Sequence, residues 1–558
     1  MDTLYRFKPS TVIEPLVNGW VAYTHNVAPL AAGLTARHYQ LGNLRQYLAS
    51  PAANVEACRN PTLRAGRFVN VPVERVADVQ ALLERTEAEL GESVRLGDAL
   101  MQFQQQLPAR ASEGLPMAPL YPRLPEPLRG MVELFYDYAT RPGVRVIEPL
   151  VYASSHYKPH LQSFRLHALA LDRDRDFIFS TPRLAGGGEL HWHVPFDDPR
   201  VDRLFRLDVE PLALPEIRAL LGLDVSSDAM LLGVLEVAPP KPAPRPSWDG
   251  DTPRITHFGH ACVLVEWKGT NILVDPCIGV RPSAEPDERP SYDDLPAHID
   301  YVLVTHSHHD HFTLETLLRL RNRIGCLVVP RAIGLHYGDV SLKLLARRIG
   351  FREVVEMDTL ERLPLPDGEI IAVPFLGEHA DLPHAKTGYV VRAGDQQMLF
   401  AADSDCLDVR QYERLLEVLG PVQHVFLGLE CVGAPMSWSC GAFFPVPPTV
   451  EQDQSRRQHG CDATRGMKLL RALRATHLYV YAMGLEPWYE WLLGLAYTAE
   501  AEQIRQMKKI LAAATADGLD ARLLRAPAQL VLEAATSRHA LAKRTDPVDG
   551  DGVEEILL

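Results

Sequence analysis

Between Thr305 and His311 the chain reads Thr-His-Ser-His-His-Asp-His, four imidazoles and a carboxylate within seven residues. His306, His308, Asp310 and His311, with His309 interleaved, are side chains that bind metal ions through neutral nitrogen or anionic oxygen. Histidines at alternate positions turn two rings the same way, and the Asp310-His311 pair reaches toward a second point beside them. The spacing therefore suits two metal ions rather than one. A histidine-rich loop assembled by chance is the competing reading, and ligand spacing at the end of a strand argues against it.

The flanking residues supply the elements that would position this loop. Tyr301–Val304 is an apolar run expected to form a buried strand ending at Thr305. From Thr313 to Asn322 the leucines at 314, 317, 318 and 320 have helical spacing. Two further expected strands end in ligand-type residues. Glu369–Phe375 runs into Leu376-Gly-Glu-His-Ala-Asp-Leu-Pro-His384, and Gln397–Ala402 runs into Asp403-Ser404-Asp405. A carboxylate at the end of a buried strand needs a partner, because an isolated buried charge is costly. A dinuclear centre would give Asp403 one, as a bridge between both ions; a helix N-cap is the alternative role.

The chain has 558 residues, too many for one ordinary core, so two or more domains are expected. Hydrophobic content of 46% and charged content of 23% are those of a soluble globular protein. A net charge of −14, from 57 basic and 71 acidic residues, excludes a general nucleic-acid binder. The eight cysteines form no Cys-Xaa-Xaa-Cys pair, so neither a zinc ribbon nor a disulfide framework is expected. There is no apolar signal-peptide core at the N-terminus and no run of about 18 apolar residues. A cytoplasmic setting without membrane contact is the expectation.

Pro239-Pro-Lys-Pro-Ala-Pro-Arg-Pro246 marks the sharpest boundary, a stiff extended segment. It divides the chain into an N-terminal domain (1–238), a proline-rich linker (239–250), a catalytic domain (251–540) and an acidic tail (541–558). In the N-terminal domain, Val73–Leu107 has helical spacing that Gly91 and Gly97 are expected to break in two. Pro127–Tyr138 reads as a further helix, and Phe177–Thr181 and Leu231–Val237 read as strands, giving a mixed α/β unit. His191-Trp-His193 is read as structural, and Gly186-Gly-Gly188 as a turn. After the linker, Arg254–Glu266 and Asn271–Pro276 are expected as two strands. Seven more segments follow in alternation with helices, as in two sheets sandwiched between helical layers.

Thr305-His-Ser-His-His-Asp-His311, Gly377-Glu-His379 and Ala402-Asp403-Ser404 together resemble the metallo-β-lactamase superfamily. The resemblance covers Ile255–Leu524 and implies an α+β fold, an αββα sandwich with metals at one rim of its two sheets. Hydrolytic members usually complete the site with a histidine at the end of a late strand. Here Leu478–Gly484 ends in Ala-Met-Gly, and Glu378 stands beside His379. His459 is a candidate substitute, though it precedes a helix. With Glu378 as a ligand the set is His306, His308, His311, Asp310, Asp403 and Glu378, three nitrogens and three carboxylates. Such oxygen-rich ligation suits iron better than zinc.

Together with the N-terminal opening Tyr5-Arg-Phe-Lys-Pro…Glu14-Pro-Leu-Val17, these features resemble the dinuclear-iron aminoacyl β-hydroxylases, a family with a member in chloramphenicol biosynthesis. The resemblance implies two irons, dioxygen as co-substrate and an external electron donor. It also implies an aminoacyl substrate held as a thioester on a nonribosomal peptide synthetase carrier domain, and an N-terminal domain for carrier docking and formation of a homodimer. His306, His308 and Glu378 would hold one iron, Asp310 and His311 the other, with Asp403 bridging; Glu378 and Asp403 would serve catalysis. Glu430 is expected near the centre or in a peripheral salt bridge. The alternative is a zinc-dependent thioesterase or phosphodiesterase, with His379 as ligand and Glu378 only its neighbour.

Overall fold

The computed structural model describes residues 3–60, 63, 66–110, 116–186, 188–239, 248–334, 337–494 and 496–532. Most of the proline-rich segment (240–247) and the acidic tail lie outside the described residues.

Two seven-stranded sheets form the C-terminal half. The first runs Val354–Met357, Ile324–Pro330, Ile299–Leu303, Thr270–Val274, Cys262–Trp267, Arg254–Gly259 and Ala528–Val531. The second runs Arg362–Leu365, Gly368–Val373, Gly388–Ala393, Gln396–Phe400, His424–Leu427, His477–Val480 and Asp520–Leu523. In each sheet, antiparallel hairpins at one side pass into parallel strands at the other. Val263, Val265, Ile370, Val391, Phe400 and Phe426 belong to the layer between them. The outer face of the second sheet is covered by amphipathic helices at Val409–Leu419, Ala463–Ala472 and Glu502–Ala516. This is the αββα sandwich, and the loops that follow strands Ile299–Leu303, Gly368–Val373 and Gln396–Phe400 carry the histidine loop, Glu378 and Asp403.

The N-terminal half is mixed, with strand Thr11–Val17 central to a four-stranded sheet and a long helix, Val76–Arg110, beside it. That helix is continuous through Gly91 and Gly97, contrary to the expected break. A Cβ at Gly97 would sit 2.5 Å from Leu34 Cδ2, so glycine here lets helix Pro29–Thr35 pack closely. Tertiary packing outweighs the weak helix propensity of the residue. Pro127–Tyr138 is not a helix: Val132–Tyr136 pairs with Pro142–Val146 as a hairpin. Leu231–Val237 is half helix (Asp228–Val234) and half strand (Leu235–Val237), and Phe177–Thr181 forms turns. Arg254–Glu266 is two strands folded at Gly259–Ala261. Gly259 has φ +115, a conformation an L side chain rarely takes.

One apolar cluster runs through both halves, from Val12, Phe164 and Trp192 to Leu317, Val329 and Phe443. Charge reinforces it. The Arg175 guanidinium lies 3.1 Å from Glu14 and 2.6 Å from Glu315, tying strand Thr11–Val17 to helix Leu314–Leu320 just after the histidine loop. Arg165 and Arg183 also reach Glu14, whose carboxyl is held well below its usual range despite burial. Among the described residues no helix is long and apolar enough to cross a membrane.

Candidate metal centre

Strand Ile299–Leu303 ends in a buried loop anchored by Asp275. Asp275 Oδ1 accepts from the Thr305 backbone N–H at 2.8 Å, and Oδ2 from the Thr305 hydroxyl at 2.8 Å. His311 Nδ1 lies 2.9 Å from the same Oδ2. This fixes the His311 tautomer and leaves Nε2 free to act as a ligand. His306 Nδ1 lies 3.0 Å from the Thr305 hydroxyl, so it too presents Nε2. His308 Nε2 is 3.3 Å from Gln458 Nε2, which leaves Nδ1 turned toward Glu378.

Three groups result, each with ligand atoms within 4.8 Å of one another: His306–His308–Glu378, His306–His311–Asp403 and His260–Asp310–His311. Glu378 Oε1 is 3.4 Å from His308 Nδ1. Asp403 Oδ2 is 3.5 Å from His306 Nε2 and 3.2 Å from His311 Nε2, so it faces both sides of the cluster. The first helix after it begins at Val409 and is capped by Asp408, not Asp403. His260 Nε2 meets Asp310 Oδ2 at 3.0 Å.

Glu378 is held on an unusual backbone. Residues Glu378, His379, Ala380 and Asp381 all have positive φ, between 47° and 61°. Each such residue costs about 1–2 kcal/mol outside glycine. The turn is pinned by Glu378 N–H donating to the His459 carbonyl at 2.8 Å, by Arg456 donating to the Ala380 carbonyl at 3.0 Å, and by the Lys386 ammonium on the Gly377 carbonyl. Strain of this kind persists only where its surroundings fix it, typically at functional sites.

The electrostatics call for a cation. His306 Nε2, His311 Nε2 and Asp403 Oδ1 are buried with no hydrogen-bond partner, a costly arrangement unless an ion fills the space between them, while Glu378 Oε2 contacts His379 Nδ1. Burial works against charge on His311, yet the carboxylates of Asp403, Asp310 and Asp275 outweigh it and raise its pKa well above the ordinary value. His306, buried beside His311 and His308, is pushed well below normal and stays a neutral donor. Glu430 forms no ion pair among the described residues. Burial and the carboxylates of Asp403, Asp310 and Glu378 raise its pKa far above normal.

The residues matched by family models frame this site. Residues 6–239 match the diiron non-heme β-hydroxylase N-terminal domain, and residues 270–438 the β-lactamase superfamily domain. The 4-amino-L-phenylalanyl-[CmlP-peptidyl-carrier-protein] 3-hydroxylase of Streptomyces venezuelae is 34% identical over 500 residues, 88% of this chain and 93% of that protein. The chain belongs to the diiron β-hydroxylase family. The crystal structure of CmlA, a diiron β-hydroxylase from Streptomyces venezuelae, covers 95% of this chain and all of that one, with a TM-score of 0.87 and 31% identity. A metal-dependent hydrolase of Methanopyrus kandleri is 31% identical, but over only 27% of the chain.

As a diiron β-hydroxylase the chain uses two iron ions and dioxygen, and the donor set fits that pair. His379 falls outside all three groups: it is buried, stacked against His384 at 4.4 Å, and carries a lowered pKa. His459 is also outside them, 3.5 Å from Asp405. His309 faces the Leu492 carbonyl at 2.9 Å. Where hydrolases of the fold place a late-strand histidine, Ala482 N–H donates to the His260 carbonyl at 2.9 Å.

His260 and Asp275 are the residues that sequence reasoning missed as parts of the site. The signal for His260 was its place after Gly259 at a hairpin end, and for Asp275 a lone carboxylate closing an apolar strand.

An aromatic-walled cavity of about 100 Å³ opens beside the cluster. His308, His309 and His379 form its inner side, and Tyr23, Phe179 and Trp438 are among its walls. The N-terminal half thus contributes directly to the space next to the candidate metal ligands.

Proposed function

We propose that this diiron β-hydroxylase inserts one oxygen atom of dioxygen into the β-C–H bond of an aminoacyl group held as a thioester on a peptidyl carrier domain of a nonribosomal peptide synthetase. The second oxygen atom leaves as water, with two electrons from an external donor and two protons. His306, His308 and Glu378 would hold one iron and Asp310 and His311 the other, with Asp403 available to both. His260, grouped with Asp310 and His311, would join the second position. When bound, the two irons supply the reduction of dioxygen.

The chain's own residues do the rest. Asp275 and Thr305 orient His311 and His306, and the 377–381 turn aims Glu378 inward. The aromatic cavity receives the aminoacyl side chain and excludes water around the β-carbon. The carrier substrate is supported by the Streptomyces venezuelae relative, which acts on a carrier-bound aminoacyl group. The N-terminal domain (1–238) is proposed to dock the carrier and to form a homodimer, in the cytoplasm.

The observation that carries this reading is the company Glu378 keeps. It joins His306 and His308, whereas the zinc-hydrolase alternative needs His379 in that place. Metal analysis with an optical spectrum tests it. Two irons per chain and near-ultraviolet and visible absorption are expected; zinc and a featureless spectrum would overturn it.

A further inference from the structure

Away from the histidine cluster, the cavity wall holds an indole and an amide that each carry an unpartnered polar atom. Trp20 is 2% exposed and Gln40 5% exposed, both line the cavity, and Trp20 Nε1 and Gln40 Oε1 make no hydrogen bond. Leaving each such atom unsatisfied costs roughly 1–3 kcal/mol. The two phenol hydroxyls of the wall are already engaged. The Tyr39 hydroxyl donates to the Ser437 carbonyl at 3.1 Å and accepts from Ala442 N–H at 3.2 Å. The Tyr23 hydroxyl is hydrogen-bonded to Thr35.

The two free atoms are complementary: an indole N–H that can only donate and an amide oxygen that can only accept. They come from neighbouring elements. Gln40 ends a five-residue π-turn, Ala36–Gln40, a rare conformation found mostly at functional sites. Leu41, the next residue, packs in one apolar cluster with Trp20. A ligand hydroxyl that accepts from Trp20 and donates to Gln40 would satisfy both.

The rest of the wall narrows the choice. Phe179 stands edge-on to Tyr23 at 4.9 Å and to Trp438 at 5.5 Å, a surface suited to an aromatic ring. Among the described lining residues there is no Asp or Glu, so a cationic side chain finds no counter-charge. A phenol hydroxyl both accepts and donates at one atom. An aniline nitrogen donates but accepts poorly, and the two imidazole nitrogens point to opposite sides of their ring.

Resting on the carrier-bound substrate proposed above, we infer that the aminoacyl group is a tyrosyl-type residue whose phenol hydroxyl is read by Trp20 and Gln40. These are specificity-determining residues, distinct from the metal ligands.

The test loads one carrier domain separately with tyrosine, phenylalanine, 4-aminophenylalanine and histidine, and follows oxygen incorporation by mass spectrometry. Tyrosyl carrier is expected to exceed phenylalanyl carrier in kcat/KM by at least about a hundredfold, as for sites that hydrogen-bond a substrate hydroxyl. In Gln40→Leu and Trp20→Phe, checked for unchanged iron content, that ratio should fall at least about tenfold. Preference for any of the other three in the wild-type enzyme overturns the inference while leaving the hydroxylase reading intact. An unchanged ratio in both variants overturns the role of the pair. Hydroxylation of none of the four carriers overturns the tyrosyl inference, and the carrier-substrate reading falls with it only if carriers loaded with aliphatic and acidic residues also stay unmodified.

Discussion

His311 Nδ1 lies 2.9 Å from Asp275 Oδ2, and that one carboxylate also holds Thr305 through two hydrogen bonds of 2.8 Å each. Asp275 is fully buried and sits outside the ligand set, yet it sets the tautomer of one ligand and the position of the residue before another. Asp275→Asn keeps the shape but removes the charge that stabilises the Nδ1–H. Iron affinity should fall by about 10–100-fold, the usual effect of losing such a partner. Iron titration of the apoprotein measures this directly.

Glu378→Ala and His260→Ala should separate the two metal positions. The first removes the carboxylate beside His306 and His308, the second the imidazole beside Asp310 and His311. Each variant is expected to retain about one iron per chain and to lose hydroxylation by at least about a hundredfold. Iron stoichiometry and turnover of a loaded carrier are the measurements.

Glu14 is 1% exposed and is shared by Arg165, Arg175 and Arg183. Glu14→Ala would strand these guanidinium groups in a low-dielectric interior. Removing one member of a buried charge network typically costs about 3–5 kcal/mol. A denaturation midpoint should drop accordingly, and because Arg175 also contacts Glu315, iron retention should weaken with it.

Stability should also depend on Glu148. Burial, reinforced by the nearby Asp339 carboxylate, pushes Glu148 up to about 7 against an opposing hydrogen bond from Ser341 N–H. In the unfolded chain it titrates near the ordinary value of 4.5. Between these values the folded state binds more protons, so stability from this group is full below about pH 4.5 and is lost as pH rises through about 7. Glu148→Gln removes that dependence. Its melting temperature relative to wild type should rise between about pH 5 and about pH 8; a constant difference would contradict the assignment.

The αββα core was legible because its strands are apolar runs bounded by turns, and the histidine loop because its ligands are close in sequence. Glu378 and Asp403 were legible as strand-end carboxylates. His260 and Asp275 were not, since both reach the site through pairing of distant strands and neither lies in a local cluster. The hairpin at Val132–Tyr136 was misread because Pro127 near the start of a segment suits a helix equally well. The unbroken helix Val76–Arg110 depends on Leu34 filling the space a side chain at Gly97 would take, a contact that no local pattern reveals.

The central claim is that a carboxylate-rich pair of metal positions handles dioxygen rather than hydrolysis. Incubating the reduced enzyme with an aminoacyl-loaded carrier under ¹⁸O-labelled dioxygen tests it in one experiment. A carrier-bound amino acid heavier by one labelled oxygen atom is the predicted result. Free amino acid released from the thioester without that label would contradict it.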